Sequence, residues 1–340
     1  MKKIRLTCGL TMGDPAGIGP EVMLKALSDK SIQRLADFVI IGNSSVIDKT
    51  GGLLKIRLKV NKIRGINYLS NTADRSIRLL EVGNISKLTF GHGDSSCGLV
   101  ALECIREAVR LTELKKIDAL ITAPVNKHTI NLTGRPFIGH TEYLASATKT
   151  SNFAMMLTGG PFKVVLVTRH IALGEVARVL TEEKIYRTIC LTVSALKKYF
   201  GIRHPRIGVC SLNPHSGDEG LLGQEEIEII RPAIKKAKDL ASIKGPISAD
   251  ILFYSALHGG FDAIVAMYHD QGLIPLKTFA FHQGVNLTLG LPFVRTSPDH
   301  GTAYDIAGKN RANPASMIEA IKLAVKIASR LRIFNSSGQI

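Results

Sequence analysis

The chain has 340 residues, a length above that at which one hydrophobic core usually stops growing, so two lobes are expected. Hydrophobic residues make up 45% of the sequence, aromatic residues make up 6% and tryptophan is absent, which suits a globular α/β protein and argues against a protein that stacks bases on aromatic rings. The formal net charge of +16 is spread over short clusters on helix-like segments, which solvated helix faces explain better than a nucleic-acid-binding stripe does.

The sequence predicts neither a membrane span nor a secretory signal. No apolar window approaches the length of a membrane-spanning helix, and polar or small residues interrupt the apolar N-terminal segment at Thr7, Gly9, Thr11 and Asp14. The five cysteines form no Cys-x-x-Cys pair and mostly have apolar neighbours, so reduced, buried thiols are expected. A cytoplasmic location follows as the expectation.

Short apolar, β-branched runs alternate with longer amphipathic segments. Strands are predicted at 4–11, 37–42, 118–122, 163–168, 206–212, 262–268 and 285–289. Helices are predicted at 20–28, 99–114, 141–148, 181–199, 224–241, 248–257 and 314–331. This alternation predicts an α/β fold with a parallel sheet built from right-handed crossovers. We expect a first lobe made of 1–135 and 276–340 and a second lobe made of 136–275.

Polar or glycine-rich segments follow five of these strands. They read GDPAGIGPE, APVNK, RH, NPHSGDEG and HDQG in chain order. Because ligands of open α/β sheets bind beyond the carboxyl ends of the strands, these segments predict a site. Within the fourth segment and just after it, acidic residues are expected to interact with the N-terminus of the next helix: Asp218, Glu219, Glu225 and Glu226.

Three histidines each lie just beyond the carboxyl end of a predicted strand: His170, His215 and His269. Three neutral imidazoles that converge form the ligand set of an open metal site. A single histidine at a strand end is as often a hydrogen-bonding residue, so the prediction depends on the shared position of all three. Asp250 and Asp270 are candidate additional ligands or partners of the ligands.

The first strand is followed by glycines at Gly13, Gly17 and Gly19, before a helix that begins at Pro20. Such glycines allow a close approach of the backbone to an anion at a helix N-terminus, so they are candidate cofactor-binding residues. The alternative is an ordinary tight turn between a strand and a helix.

Two further groups are candidates for substrate binding. His140 and Thr141 stand at a predicted helix start, where Thr141 is alternatively an N-cap. Lys277, Asn286 and Arg295 lie in one apolar, glycine-rich region that is predicted to run loop, strand, loop. Two cations and an amide in such surroundings predict a clamp for phosphate or carboxylate rather than a solvated surface.

These motifs together resemble the 4-hydroxythreonine-4-phosphate dehydrogenases of pyridoxine (vitamin B6) biosynthesis, the PdxA family. The resemblance rests on TMGDPAGIGPE, TAPVNK, GHTEYLA, NPHSGDEG, GPISAD, AMYHDQGLIPLK and GVNLTLGLPFVRTSPDHGTAYDIAGK, in the same order along nearly the whole chain. It implies a two-lobed α/β/α sandwich like that of isocitrate and isopropylmalate dehydrogenases. It also implies a homodimer whose active site is completed by the partner subunit.

By the same resemblance, His170, His215 and His269 hold a divalent metal. The resemblance further assigns substrate binding to a second set of residues: His140, Thr141, Lys277, Asn286 and Arg295. Three imidazoles favour zinc or cobalt over magnesium. Two departures from the family pattern, Ile138 before GHTE and the loop after His215, leave open a sister enzyme that acts on another phosphorylated sugar acid.

The implied reaction is oxidation of the C3 hydroxyl of 4-phosphohydroxy-L-threonine by NAD or NADP. The β-keto acid formed then loses carbon dioxide to give 3-amino-2-oxopropyl phosphate. His140 and Asp250 are rival candidates for the proton acceptor. The alternatives are a sister dehydrogenase for a phosphorylated threonate or erythronate, a metal-dependent lyase or hydrolase without nucleotide, and a basic nucleic-acid-binding protein.

Overall fold

The computed structural model describes residues 5–63, 65 and 76–336. Over that part of the chain the strands are β1 (Thr7–Thr11), β2 (Asp37–Gly42), β3 (Val60–Ile63), β4 (Ile77–Glu81), β5 (Ala119–Thr122), β6 (Ala154–Gly159), β7 (Phe162–Leu166), β8 (Arg206–Cys210), β9 (Ser242–Ile247), β10 (Ala263–Ala266), β11 (Val285–Leu289) and β12 (Val294–Pro298). The α-helices are α1 (Gly19–Ser28), α2 (Lys30–Gln33), α3 (Ser44–Leu54), α4 (Ser95–Glu113), α5 (Lys127–Asn131), α6 (His140–Ala147), α7 (Val176–Val179), α8 (Glu182–Ala195), α9 (Arg231–Ala237), α10 (Ala249–Leu257), α11 (His269–Ala280) and α12 (Ala315–Ser336). The predicted α/β class is confirmed.

The chain divides into two compact units. Unit 1 comprises Met1–Lys149 with Leu291–Ile340, and unit 2 comprises Thr150–Gly290. Both divisions fall later in the chain than the predicted lobe limits of 135 and 275. A limit at 275 would cut through α11, which packs as one helix on β6 and β7 of unit 2.

In unit 1 the strands lie in the order β3-β4-β2-β1-β5-β12, and every adjacent pair is parallel. The central strands β1 and β5 are apolar and almost wholly buried, as expected for a parallel sheet covered on both faces. Helix α4 packs on β1 and β2, and α12 packs on β5 and β12. The carboxyl ends of these strands therefore share one edge, and the loops after β1 and β5 meet there.

In unit 2 the order is β11-β6-β7-β10-β8-β9, and one strand departs from the predicted parallel sheet. Strand β6 runs antiparallel to both β7 and β11. It is joined to β7 by Gly160 and Pro161, with Gly160 at φ 54°, and such a short link makes a hairpin rather than a crossover. The pairs β7–β10, β10–β8 and β8–β9 are parallel, so their carboxyl ends lie together.

Two apolar clusters form the core of unit 2. One gathers side chains of β7, α10 and α11, including Val164, Leu252 and Leu276. The other gathers side chains of α8, β8 and α9, including Ile189 and Val209. Helices therefore cover the strands of this unit on both sides.

The five cysteines are free thiols, and all but Cys190 are buried, as the sequence predicts. Burial raises the pKa of the Cys104 and Cys210 thiols far above that of an ordinary thiol. Among the helices that the structure describes, none is long and apolar enough to cross a bilayer.

Candidate functional site

In unit 1 the glycine-rich segment after β1 is held tightly by the protein itself. Gly13 has φ 77°, and a Cβ placed there would meet the carbonyl oxygen of Pro124 at 2.4 Å. A Cβ on Gly17 would meet Thr302 at 2.9 Å, and one on Gly19 would meet the Met12 carbonyl oxygen at 2.6 Å. Protein atoms thus already explain these three glycines, and their contact with a cofactor stays a prediction.

Asp14 lies within the same segment and is fully buried. Its carboxylate accepts hydrogen bonds from the Ala16 amide at 2.9 Å, the Thr129 hydroxyl at 3.1 Å and the Tyr304 hydroxyl at 2.8 Å. Burial raises the pKa of Asp14 and the hydrogen bonds oppose that shift. The carboxylate therefore ties the loop after β1 to α5 and to the segment that follows β12.

Arg295 lies on β12 and only 2% of its surface is exposed. Its Nε and Nη2 atoms both donate to the Thr122 hydroxyl, at 3.1 and 2.7 Å, at the carboxyl end of β5. Burial lowers the pKa of the guanidinium to about 10, while Glu142 acts in the opposite direction. Arg295 is therefore a cation at neutral pH. Because it is buried, its electrostatic attraction for an anion is stronger than it would be at the solvent-exposed surface.

His140 is the first residue of α6. Within the described residues its Nε2 atom is buried and has no hydrogen-bond partner. Burial lowers the pKa of the imidazole well below 6.5, and the positive charges of Arg295 and Lys127 lower it further. The ring is therefore neutral at physiological pH and has a nitrogen available for hydrogen bonding or proton transfer.

Thr141, the next residue, is 3% exposed, and it is not an N-cap. The cap position of α6 is occupied by Gly139, and no side chain caps this helix. The alternative capping role for Thr141 is therefore wrong, because the helix starts one residue earlier than predicted. Thr141 stays a candidate for substrate binding.

In unit 2 the three strand-end histidines follow three neighbouring parallel strands. His170 comes after β7, His269 begins α11 after β10, and His215 lies beyond the end of β8. The rings of His170 and His269 have centroids 5.6 Å apart, and His269 Nδ1 lies 2.7 Å from an oxygen of Asp270. His170 and His269 therefore lie close together beyond two adjacent parallel strands.

His215 lies in a segment with an unusual backbone. Residues 215–219 all have left-handed φ and ψ angles, and only Gly217 among them is a glycine. Each non-glycine residue in this conformation costs about 1–2 kcal/mol. Such strain persists only where the surrounding structure holds it, and it is often found at functional sites.

The remaining predicted site residues also lie in unit 2. Lys277 is on α11 and Asn286 is on β11, where the amide oxygen of Asn286 is buried with no partner among the described residues. The predicted loop around Lys277 is wrong, since this segment is helical despite Gly272 and Pro275. Asp250 is exposed in the first turn of α10.

The donor chemistry of unit 2 suits a divalent metal. Imidazole nitrogens are ligands for zinc, cobalt and other borderline metals. The carboxylate of Asp270 lies beside His269, and a carboxylate in that position orients a metal-binding imidazole. No group of three His, Cys, Asp or Glu residues is already arranged around one point within the described ranges. The metal role of the three histidines therefore stays a prediction.

Sequence reasoning missed several residues of these clusters. Thr122 and Lys127 are the first and last residues of TAPVNK, but their relation to Arg295 and His140 depends on tertiary contacts that the motif does not report. Glu226 was expected to interact with a helix N-terminus, and this is wrong. Its carboxylate instead accepts hydrogen bonds from the backbone that leads to His215. Its position within a predicted helix start gave no signal of burial.

Comparison with known proteins places these clusters in context. The family described as "Pyridoxal phosphate biosynthetic protein PdxA" matches residues 34–324. A 4-hydroxythreonine-4-phosphate dehydrogenase of Desulforapulum autotrophicum is 44% identical over 94% of this chain and 95% of its own. A D-threonate 4-phosphate dehydrogenase of Cupriavidus necator is 42% identical over 95% of this chain and 97% of its own. The crystal structure of 4-hydroxythreonine-4-phosphate dehydrogenase from Klebsiella pneumoniae has a TM-score of 0.85 at 37% identity and covers 96% of this chain and 100% of that one.

Proposed function

Since the chain belongs to the PdxA family and is a dehydrogenase, we propose that it oxidises 4-phosphohydroxy-L-threonine at C3 with NAD or NADP. The β-keto acid then loses carbon dioxide and leaves 3-amino-2-oxopropyl phosphate. The observation that carries the proposal is the buried Arg295 cation together with the neutral imidazole of His140 in unit 1, whose Nε2 atom has no partner among the described residues. An anionic substrate with an ionisable hydroxyl would use both groups.

The anion-binding part of the proposal rests on Arg295 within unit 1, and Lys277 and Asn286 are the candidates for substrate binding within unit 2. Arg295 is already desolvated, so an oxyanion that reaches it gains a charge-assisted hydrogen bond in a medium of low dielectric. The amide oxygen of Asn286 is buried and has no partner in the part of the chain that the structure describes, so it would accept a hydrogen bond from a substrate hydroxyl or ammonium. Binding energy from these remote groups orients the reacting carbon.

The proton-transfer part rests on His140. Its depressed pKa keeps the ring neutral, so Nε2 is able to accept the proton of the C3 hydroxyl as the hydride leaves C3. Asp250 is the rival acceptor, and its carboxylate is exposed in the first turn of α10. The variants His140→Gln and Asp250→Asn distinguish the two candidates. Only the variant that lacks the true proton acceptor should have a lower kcat while it still binds the substrate.

For the cofactors, His170, His215 and His269 would hold a divalent ion, with zinc, cobalt and magnesium as the candidates. When bound, that ion supplies Lewis-acid stabilisation for oxygen atoms of the substrate that gain negative charge. NAD or NADP supplies the hydride acceptor. The imidazoles must be neutral to bind a metal, and the carboxylate next to His269 fixes its ring orientation.

A homodimer is the proposed assembly. Helices α10 and α11 of unit 2 expose large apolar side chains, with Tyr254 68% and Ile274 62% exposed, and Leu221 in the segment after His215 is 83% exposed. Side chains of this kind are characteristic of an interface. Light scattering after size exclusion should give twice the mass of the chain, and a monomer at micromolar concentration would contradict this assembly.

The proposed reaction is tested by NAD reduction with 4-phosphohydroxy-L-threonine, in the presence of added metal and after chelation. We expect turnover that chelation abolishes, that added metal restores, and that His269→Ala lacks. A folded, metal-loaded protein that reduces neither NAD nor NADP with this substrate would contradict the proposed reaction. D-Threonate 4-phosphate is the substrate of the second candidate function, which the 42% identity to the Cupriavidus necator enzyme favours. Oxidation of that compound alone would establish it.

A further inference from the structure

The left-handed segment that carries His215 is anchored by a buried carboxylate. Glu226 opens a π-helical turn, Glu226–Ile230, and is 0% exposed. Its Oε1 atom accepts hydrogen bonds from the backbone amides of Leu212 and Asn213, both at 2.8 Å. Its Oε2 atom accepts a third from Asn213 Nδ2 at 3.0 Å. One side chain therefore fixes the two residues that connect β8 to the segment.

The carboxylate also lies against the segment itself. A Cβ on Gly217 would stand 2.6 Å from Glu226 Oε2, so this glycine lets the left-handed turn close over the carboxylate. The turn is continued by a backbone hydrogen bond from the Leu222 amide to the Gly217 carbonyl oxygen, at 3.0 Å. The strained conformation of His215 is thus set by contacts with a residue eleven positions further along the chain.

A second set of hydrogen bonds joins the backbone that follows β8 to α11. Gln271 donates from Nε2 to the Ser211 carbonyl oxygen at 2.7 Å, and its Oε1 accepts from the Met267 amide at 2.7 Å. Gln271 is two residues after His269, which begins α11. The segments that lead to His215 and His269 are therefore fastened to each other through buried hydrogen bonds.

We infer that Glu226 is a positioning residue: its carboxylate holds the left-handed turn that presents His215 to a divalent metal. The inference rests on the proposed metal role of His215. Glu226 touches neither metal nor substrate, and it acts through the backbone of Leu212 and Asn213. Outer residues that orient metal ligands contribute 10- to 100-fold to metal affinity as a rule.

The substitution Glu226→Gln tests this with little change of volume. A glutamine keeps one oxygen for the two backbone amides but turns an amide NH₂ group toward Asn213 Nδ2, which is also a donor. A flip of Asn213 does not repair the contact, because Nδ2 also donates to Glu225 at 2.7 Å. Glu228→Gln is the matched control, since Glu228 lies exposed on the same turn.

The experiment titrates each folded protein with Co²⁺, follows the visible absorption of the bound ion, and measures the dissociation constant by competition with a chelator. We expect Co²⁺ affinity to fall about 10- to 100-fold in Glu226→Gln, with a changed absorption spectrum, and to stay within about twofold in Glu228→Gln. Glu226→Asp, which keeps the charge but shortens the side chain, should fall between them. Equal affinity and spectra for Glu226→Gln and Glu228→Gln would overturn the inference.

Amide hydrogen exchange over residues 211–222, without metal, gives an independent readout. We expect exchange there to become about tenfold faster in Glu226→Gln, with the remainder of unit 2 unchanged. If the wild-type protein binds no Co²⁺, the proposed metal site fails. The exchange result then decides alone whether Glu226 holds the turn, and unchanged exchange would refute that.

Discussion

Arg295 and Thr122 provide the sharpest test of the energetics of unit 1. The Thr122 hydroxyl accepts two hydrogen bonds from a guanidinium that is almost wholly buried. Thr122→Val keeps the shape of the side chain but leaves both donors facing a methyl group. Hydrogen bonds to charged groups contribute about 1.5–3 kcal/mol each, and the two share one acceptor, so we expect a loss of about 2–3 kcal/mol in the free energy of unfolding.

The matched control is Thr11→Val. Thr11 is paired with Thr122 in the register of β1 and β5, and it is equally buried. Its hydroxyl has no partner among the described residues, so its removal should leave stability unchanged or raise it by about 1 kcal/mol. Urea unfolding of both variants measures the difference. A Thr122→Val variant within about 0.5 kcal/mol of Thr11→Val would refute the claim that this hydroxyl stabilises the buried cation.

Three further outcomes are expected. The pKa of His140 is depressed in the folded protein, so the unfolded chain binds the extra proton first as the pH falls, and stability is lost below about pH 6.5. Between pH 7.5 and 5.5 the free energy of unfolding, measured with urea, should fall by about 1.4 kcal/mol more in the wild type than in His140→Gln. If the free energy of unfolding of the two proteins changes with pH in parallel, the folded protein does not hold His140 neutral. Lys127→Met should raise the His140 pKa, seen as an upward shift of its ring titration by NMR, while an unchanged titration would show that the Lys127 charge does not reach the ring. In the native protein a thiol reagent should modify Cys190 first and spare Cys104 until unfolding, and equal rates would contradict the burial of Cys104.

Much of the fold could be predicted from the sequence because most strands are short apolar runs with β-branched residues, flanked by turn residues. Strand β12 was missed because it reads VRTSP, where polar residues are buried against neighbouring elements. Strand β6 was missed because methionines replace β-branched residues in AMMLTG. Helix α11 was missed because Gly272 and Pro275 are signals of a loop, whereas tertiary packing on β6 and β7 overrides that local preference.

The candidate site was predictable only where chemistry and chain position coincide. His170 and His269 follow adjacent parallel strands, so their proximity was foreseeable from the strand-end rule. The Thr122–Arg295 pair joins positions 173 residues apart, and no local pattern reports it. Glu226 lies near His215 in sequence, but its burial depends on a π-helical turn that the helical periodicity does not signal.

The proposed substrate of this dehydrogenase is 4-phosphohydroxy-L-threonine. The most direct test of this proposal is the ratio of kcat/KM for that compound to kcat/KM for D-threonate 4-phosphate, measured by NADH formation with the same metal-loaded preparation. We expect a ratio above one, because the two compounds differ at C2, where the first carries an ammonium group and the second a hydroxyl. A ratio below one would contradict the proposal and identify the phosphorylated sugar acid as the better substrate.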